Sequence, residues 1–332
     1  MKTDQYYLAE LEDKLLETVY NYVQGLKRPY GILISGGFDS GLLAALTKPD
    51  YVYSIRFPYG IKYDESRYAD AIIDHLGLRD KTTIITITKE HFDENFRDAV
   101  TTMGEPVSHF SLVPLYTLFK TIRKDKGPNA NILSGEGPDE YLGGYARQII
   151  FDELRKLYEI PELRSYHGLI NKVLNIKDPE YDFYYKYAEL VGYSEEEIRD
   201  WKTAYGYDIL KESGYPFQGG IGKMDMDLGV IEIMEQRLAK RHEVNLHYPY
   251  INEKFSDYCY TLPDNLKIRN GVTKWAFRQI CKKYLPEFVM DRAKMGGPVA
   301  PINHWIDVAD KGEFDKKRYL EIQKEILKLH EL

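Results

Sequence analysis

Tyr30-Gly31-Ile32-Leu33-Ile34-Ser35-Gly36-Gly37-Phe38-Asp39-Ser40-Gly41-Leu42-Leu43-Ala44-Ala45-Leu46 passes from a continuous apolar run, through two glycines, into helical apolar spacing. A short run without alternation is the pattern of a strand covered on both faces. Working outward, YVYSIRF (51–57), TTIITIT (82–88) and ANILS (130–134) read as three more such strands between turn formers. FDSGLLAALTK reads as the helix after the first strand. DESRYADAIIDHLG, capped by Asp64 and ended by Gly77, reads as the next, followed by helices near 89–102 and 111–126. An amphipathic helix near residues 5–24, ended by Gly25, precedes the series. Helices inserted between short apolar strands predict right-handed crossovers and a parallel sheet with helices on both faces, an α/β fold.

From about residue 146 to 225 the strand signal fades and charged, aromatic-rich helical stretches take over. QGGIGK (218–223) reads there as a glycine-rich loop, and the tail from 226, including VIEIMEQRLAKR and KWAFRQICKKYL, has helical spacing. The 332 residues suit roughly two domains, or one large α/β domain with an appended lobe. Fifty-two acids against 45 bases give a net charge of −7, and no Lys/Arg block stands out, which argues against a nucleic-acid partner. No apolar run approaches the roughly 20 residues of a membrane span, and the first residues lack a signal-peptide core, so a cytoplasmic location is expected. Cys259 and Cys281 are too few for a disulfide framework and are not spaced as a CxxC metal or redox site.

Two segments carry chemistry. Ser35-Gly36-Gly37-Phe38-Asp39-Ser40 follows the first strand and opens a helix, where ligands bind a parallel sheet and where a helix amino terminus favours anions. Two glycines admit backbone N–H groups to phosphate oxygens, and two serines add hydroxyl donors. It is neither a Walker loop nor a GxGxxG fingerprint. A tight strand-to-helix turn capped by Ser35 or Asp39 accounts for the SGG element equally well. Asp39 points to a Mg²⁺ ion, because a carboxylate beside phosphates is repulsive without a cation; a helix-capping role is the alternative. The second segment, Ser134-Gly135-Glu136-Gly137-Pro138-Asp139-Glu140-Tyr141-Leu142-Gly143-Gly144-Tyr145, follows the fourth strand. Its three acids are costly beside phosphates unless they bind metal or act on a reacting centre.

Together these segments resemble the ATP-pyrophosphatase, or PP-loop, superfamily. Within it they resemble the synthetase domain of asparagine synthetase and its relatives, including β-lactam-forming synthetases. The family's SGGxDS loop matches Ser35 to Ser40, and its SGEGxDExxGGY segment matches Ser134 to Tyr145. Weaker likeness runs through Glu105-Pro106, through RLAKRHEVNLHYPYINEKFSDYCYTLP, and ends with Asp291-Arg292-Ala293-Lys294. The resemblance implies an adenine nucleotide alpha-hydrolase-like sheet of five strands with a carboxyl-terminal helical lobe. The division expected is an amino-terminal helix (1–28), a nucleotide-binding region (29–150) and a helical lobe completing the active site (151–332).

By the same resemblance ATP and Mg²⁺ are the cofactors. Asp39 and Asp139 would hold Mg²⁺ on the β- and γ-phosphates; Ser35, Gly37 and Ser40 would cradle pyrophosphate, with Gly36 and Ser134 also among the nucleotide-binding residues. Leu33, Ile55 and Gly135 would border the adenosine. Glu136 matches the family's glutamate near the acyl-adenylate, and Lys294 the lysine that compensates developing negative charge; these are the expected catalytic residues. The implied reaction is ATP-dependent adenylation of a small-molecule carboxylate, followed by transfer to ammonia or an amine, with room for a separate glutaminase subunit as ammonia source. Rival readings are a PP-loop tRNA-modifying enzyme and a non-catalytic nucleotide-binding paralogue. Two departures stand out. Met1 is followed by Lys2 rather than the cysteine nucleophile of a glutaminase, so glutamine hydrolysis of that kind is not expected; and Asn245 and His247 stand where the family has Glu and Arg.

Overall fold

Four strands close where the apolar runs end. A computed structural model of the chain describes residues 2–60, 64–174, 187–188, 199, 214–227, 231–290, 301–306, 309–310, 313–314 and 316–330. Helix α1 (Asp4–Gln24) precedes β1 (Tyr30–Leu33), α2 (Phe38–Thr47), β2 (Tyr51–Arg56), α3 (Ser66–His75), β3 (Thr82–Thr86), α4 (Lys89–Met103), α5 (Leu112–Lys126) and β4 (Ala130–Leu133). Then follow α6 (Pro138–Leu142), α7 (Ala146–Glu159), α8 (His167–Leu174), α9 (Phe217–Asp227), α10 (Ile231–Arg241), β5 (Val244–His247) and α11 (Glu253–Thr261). Among the described residues no helix is long and apolar enough to cross a membrane.

The sheet order is β3-β2-β1-β4-β5, and every pairing is parallel. The chain steps outward from β1 to β3, crosses back, and resumes with β4, so the order reverses between β1 and β4. Right-handed crossovers in the two directions place α2 and α3 on one face and α4 and α5 on the other. The central strands are accordingly buried on both sides, whereas edge strand β3 exposes Ile84 and Thr86. On the α4–α5 face, Tyr53, Ile85, Phe92, Phe96, Val100, Leu112, Phe119, Ile122 and Ile132 form one buried cluster.

Two expectations are corrected. The tail was expected to be helical from residue 226, but Val244–His247 forms the fifth strand, pairing with β4 from Ala130↔Val244 to Leu133↔His247. This is an edge strand with Asn245 exposed, as short as β1 and β4 but without their continuous apolar run. QGGIGK is not a loop but lies inside α9. A Cβ on Gly219 would lie 2.0 Å from the Tyr260 carbonyl oxygen, and one on Gly222 2.2 Å from that of Glu140. The glycines therefore serve close packing of a helix onto backbone, not a turn.

The chain forms two compact units. One comprises 1–15, 137–229 and 251–280; the other comprises 16–136, 230–250 and 281–332. The units interleave in sequence, because β5 and α10 return to the sheet between segments of the first unit.

The close approach of α9 makes a prediction of sign. In an exposed helix Gly→Ala stabilises by roughly 1 kcal/mol. Gly222→Ala should instead lower stability by about 1–3 kcal/mol, since the methyl must displace the Glu140 backbone. Thermal unfolding of this variant decides it; a melting temperature at or above that of the parent would mean that α9 does not pack this way.

Candidate active site

The first glycine loop is shaped by its own serines. Gly36 adopts φ +90°, and a Cβ there would lie 2.9 Å from the Ala69 backbone nitrogen, so only glycine fits this turn. The Gly37 N–H donates to Ser35 Oγ at 3.3 Å, and the Ser35 N–H donates to Ser40 Oγ at 3.3 Å. Neither Ser35 nor Asp39 caps the helix: the N-cap of α2 is Gly37, in extended conformation, with no side-chain capping bond. The positive end of α2 is thus built from backbone alone, as an anion cradle requires. Asp39 lies half-buried in the first turn, and its carbonyl accepts a 3.0 Å bond from the Tyr250 hydroxyl.

The second loop meets the first backbone to backbone. A Cβ on Gly135 would stand 2.8 Å from the Ser40 nitrogen, 3.0 Å from its Cα and 3.1 Å from the Asp39 carbonyl carbon. Ser134 is held by its N–H on the His247 carbonyl (2.8 Å) and by its hydroxyl on Glu235 Oε2 (3.2 Å). Leu33 and Ile55, at the carboxyl ends of β1 and β2, are partly buried against the core. Leu33, Ser35, Gly36, Gly37, Asp39, Ser40, Ile55, Ser134, Gly135 and Glu136 therefore share one sheet edge within one unit. They flank the position where strand order reverses, which is where open parallel sheets bind ligands.

Asp139 belongs to the other unit. It lies in the first turn of α6, and its Oδ1 is 2.7 Å from Lys274 Nζ, a lysine only 3% exposed. The Lys274 N–H also donates to the Gly143 carbonyl at 3.2 Å. A Cβ on Gly144 would collide with Asp139 Oδ1, so the GGY glycine is needed for the carboxylate to lie where it does. Tyr145 donates a short hydrogen bond to Glu140 and carries the Arg147 guanidinium 3.8 Å over its ring. Lys274 is the residue that sequence reasoning missed. The signal for it is indirect: three acids in one segment call for a counter-charge. Lys294 lies outside the described residues.

Asn245 and His247 are taken up by the fold. His247 Nε2 is 3.1 Å from Asn131 Oδ1 and its Nδ1 3.2 Å from the Tyr22 hydroxyl, while Asn245 Nδ2 reaches the same Asn131 oxygen at 3.3 Å. Asn131 Nδ2 donates to the Lys27 carbonyl, which orients its oxygen toward the imidazole and fixes the Nε2–H tautomer. Burial holds the His247 pKa below its ordinary value, so the ring bridges α1 and the sheet in neutral form. This is the ordinary hydrogen-bonded histidine rather than a proton carrier.

The residues fit the groups the resemblance implies. The uncapped helix end and the loop contact at Gly135 suit a polyphosphate, and the Asp39 carboxylate in the first turn of α2 is a hard oxygen donor. Among the described residues no group of three or more His, Cys, Asp or Glu side chains forms a metal cage. Mg²⁺ is ordinarily held by one or two carboxylates plus substrate phosphates, so a single carboxylate beside the phosphate loop fits such an ion.

An open parallel sheet with two glycine-rich loops touching at its switch point defines an α/β protein whose loops meet at the edge where such sheets bind ligands. The family model for asparagine synthase matches residues 10–321, and the chain belongs to that family. It is 25% identical over 333 aligned positions to asparagine synthetase [glutamine-hydrolyzing] 1 of Bacillus subtilis, covering 89% of this chain and 51% of that protein. It is 27% identical to a putative asparagine synthetase [glutamine-hydrolyzing] of Mycobacterium tuberculosis, over 83% of this chain and 45% of that one. The human asparagine synthetase [glutamine-hydrolyzing] is 22% identical over 85% of this chain and 42% of its own length. The chain thus spans about half the length of these relatives. A solved NMN synthetase from Francisella tularensis aligns with 63% of this chain and 97% of its own at a TM-score of 0.27 and 14% identity, too distant for an argument.

Proposed function

We propose that the chain is an ATP-dependent carbon–nitrogen ligase that adenylates a small-molecule carboxylate and passes the acyl group to ammonia or an amine. The observation that carries this reading is the Gly135–Ser40 backbone contact, which sets an uncapped helix end beside the loop bearing Glu136. A substrate carboxylate oxygen attacks the α-phosphorus of ATP and pyrophosphate departs. The amine nitrogen then attacks the acyl carbon, loses a proton, and AMP leaves. The first loop binds the β- and γ-phosphates through Ser35, Gly36, Gly37 and Ser40, with Leu33, Ile55 and Gly135 along the nucleoside. Asp39 is assigned to Mg²⁺, which when bound would neutralise phosphate charge and favour the leaving group. Glu136 accepts the proton of the attacking amine. Lys294 is assigned, by the resemblance alone, to charge on the departing pyrophosphate. Positioning and electrostatics supply most of the acceleration, since ATP already carries the leaving group.

The nitrogen source follows from the cysteines. Both are buried and outside any disulfide, and burial raises the Cys259 thiol well above its ordinary pKa, so neither is an exposed thiolate able to attack glutamine. The 332-residue chain should form amide with ammonium and not with glutamine alone. Product formation from glutamine in ammonia-free buffer would overturn this assignment; ammonia supplied by a separate glutaminase is compatible with it.

A further inference from the structure

Glu235 is a buried carboxylate, 5% exposed, in the middle of α10, and the mechanism above gives it no task. Its Oε2 accepts two hydroxyls, Ser134 Oγ at 3.2 Å and the Tyr248 hydroxyl at 3.2 Å. These donors stand just beyond β4 and β5, at the carboxyl edge of the sheet. Ser134 is itself 4% exposed, and its N–H is already spent on the His247 carbonyl. Its hydroxyl is therefore directed into the protein, toward Glu235. The next residue, Gly135, lies against the Ser40 backbone so closely that a Cβ would stand 2.8 Å from its nitrogen. Such a contact tolerates little sliding, and the bond from Ser134 to Glu235 sits one residue before it.

We infer that Glu235 is a positioning residue for nucleotide binding: through the Ser134 hydroxyl it holds the second loop in register with the phosphate loop. The inference rests on the ATP-binding reading above. Burying a carboxylate is costly unless its hydrogen bonds are made, and Oε2 accepts two of them from hydroxyls. A glutamine carbonyl can accept the same two bonds, whereas an aliphatic side chain accepts none. Tyr248 shares the carboxylate but does not belong to the loop. Its bond contributes to packing at β5, not to the register of Gly135. The two donors therefore separate positioning from plain stability.

The test is calorimetric titration of ATP in excess Mg²⁺ into the wild-type chain and folded variants, with unfolding curves recorded alongside. Ser134→Ala and Glu235→Leu should each weaken ATP binding about tenfold, the scale of one lost charge-assisted hydrogen bond. The double variant should be no weaker than either single one. Glu235→Gln should bind ATP within about twofold of wild type, and Tyr248→Phe should keep wild-type affinity while melting at lower temperature. Wild-type affinity in Ser134→Ala, which is the variant least expected to disturb folding, would overturn the inference. So would additive losses in the double variant, or a loss in Tyr248→Phe equal to that in Ser134→Ala. If the wild-type chain itself fails to bind ATP, the functional reading fails first and this inference falls with it.

Discussion

Asp39→Asn should reduce Mg²⁺-dependent turnover by about 100-fold or more, with the fold intact. The substitution is isosteric, and the Asp39 backbone carbonyl, which accepts from Tyr250, is unchanged. What is lost is one negative charge in the first turn of α2. That loss costs at most about 1 kcal/mol of helix-dipole stabilisation. If Asp39 holds Mg²⁺ on the phosphates, the amide variant should need far more Mg²⁺ to reach half its maximal rate, while its unfolding curve nearly overlays that of wild type. A Mg²⁺ titration of activity checks this. An Asp39→Asn variant with wild-type metal dependence would remove Asp39 from the site and leave it as a helix-end acid.

Lys274→Met should have the largest effect on stability. Lys274 is buried and sits 2.7 Å from Asp139, whose side chain is 17% exposed. Removing the cation takes a counter-charge 2.7 Å away from the carboxylate beside Gly144, in a place where the backbone limits its retreat. Breaking a buried pair from one side costs about 3–5 kcal/mol, and the partial exposure of Asp139 argues for the lower end. The companion variant Lys274→Met with Asp139→Asn should recover part of this loss, because the stranded charge is gone. Chemical denaturation of the two variants measures it. A Lys274→Met change of no more than about 0.5 kcal/mol would mean that the pair is only a surface-like contact.

The parts of the fold legible in the sequence were those written in long or continuous patterns. β1, β2 and β4 were each found within a few residues because a strand buried on both faces is largely apolar, β3 because its threonines and isoleucines are strand formers between turn residues, and α2 to α5 because their apolar spacing is interrupted only at their ends. β5 was not found: in Val244-Asn245-Leu246-His247, at the edge of the sheet, half of the side chains are polar and no continuous apolar run marks it. The QGGIGK stretch misled because glycine marks both turns and close helix packing, and only the neighbouring Glu140 and Tyr260 carbonyls distinguish them.

The site shows the same division. The two loops announce themselves by composition, since glycines, serines and acids are concentrated after strands. Their junction at Gly135 was legible only as a topological expectation. The partners that hold them were not, because Tyr250, Glu235 and Lys274 are contributed by segments more than 90 residues away and none belongs to a recognisable motif. His247 stood out in the sequence as a departure from the family pattern. The structure explains it as a member of a hydrogen-bonded set with Asn131 and Tyr22, two residues that no local pattern connects to it.

The central claim is that ATP is cleaved between its α- and β-phosphates, and it is tested most directly by identifying the products of turnover. The purified chain should be supplied with ATP, Mg²⁺, ammonium and a panel of small carboxylates, and the nucleotide and phosphate products resolved by phosphorus NMR. For the carboxylate that supports turnover, the account predicts AMP and pyrophosphate in equal amounts, matched one to one by amide. ADP and orthophosphate as the products of that same turnover would contradict it.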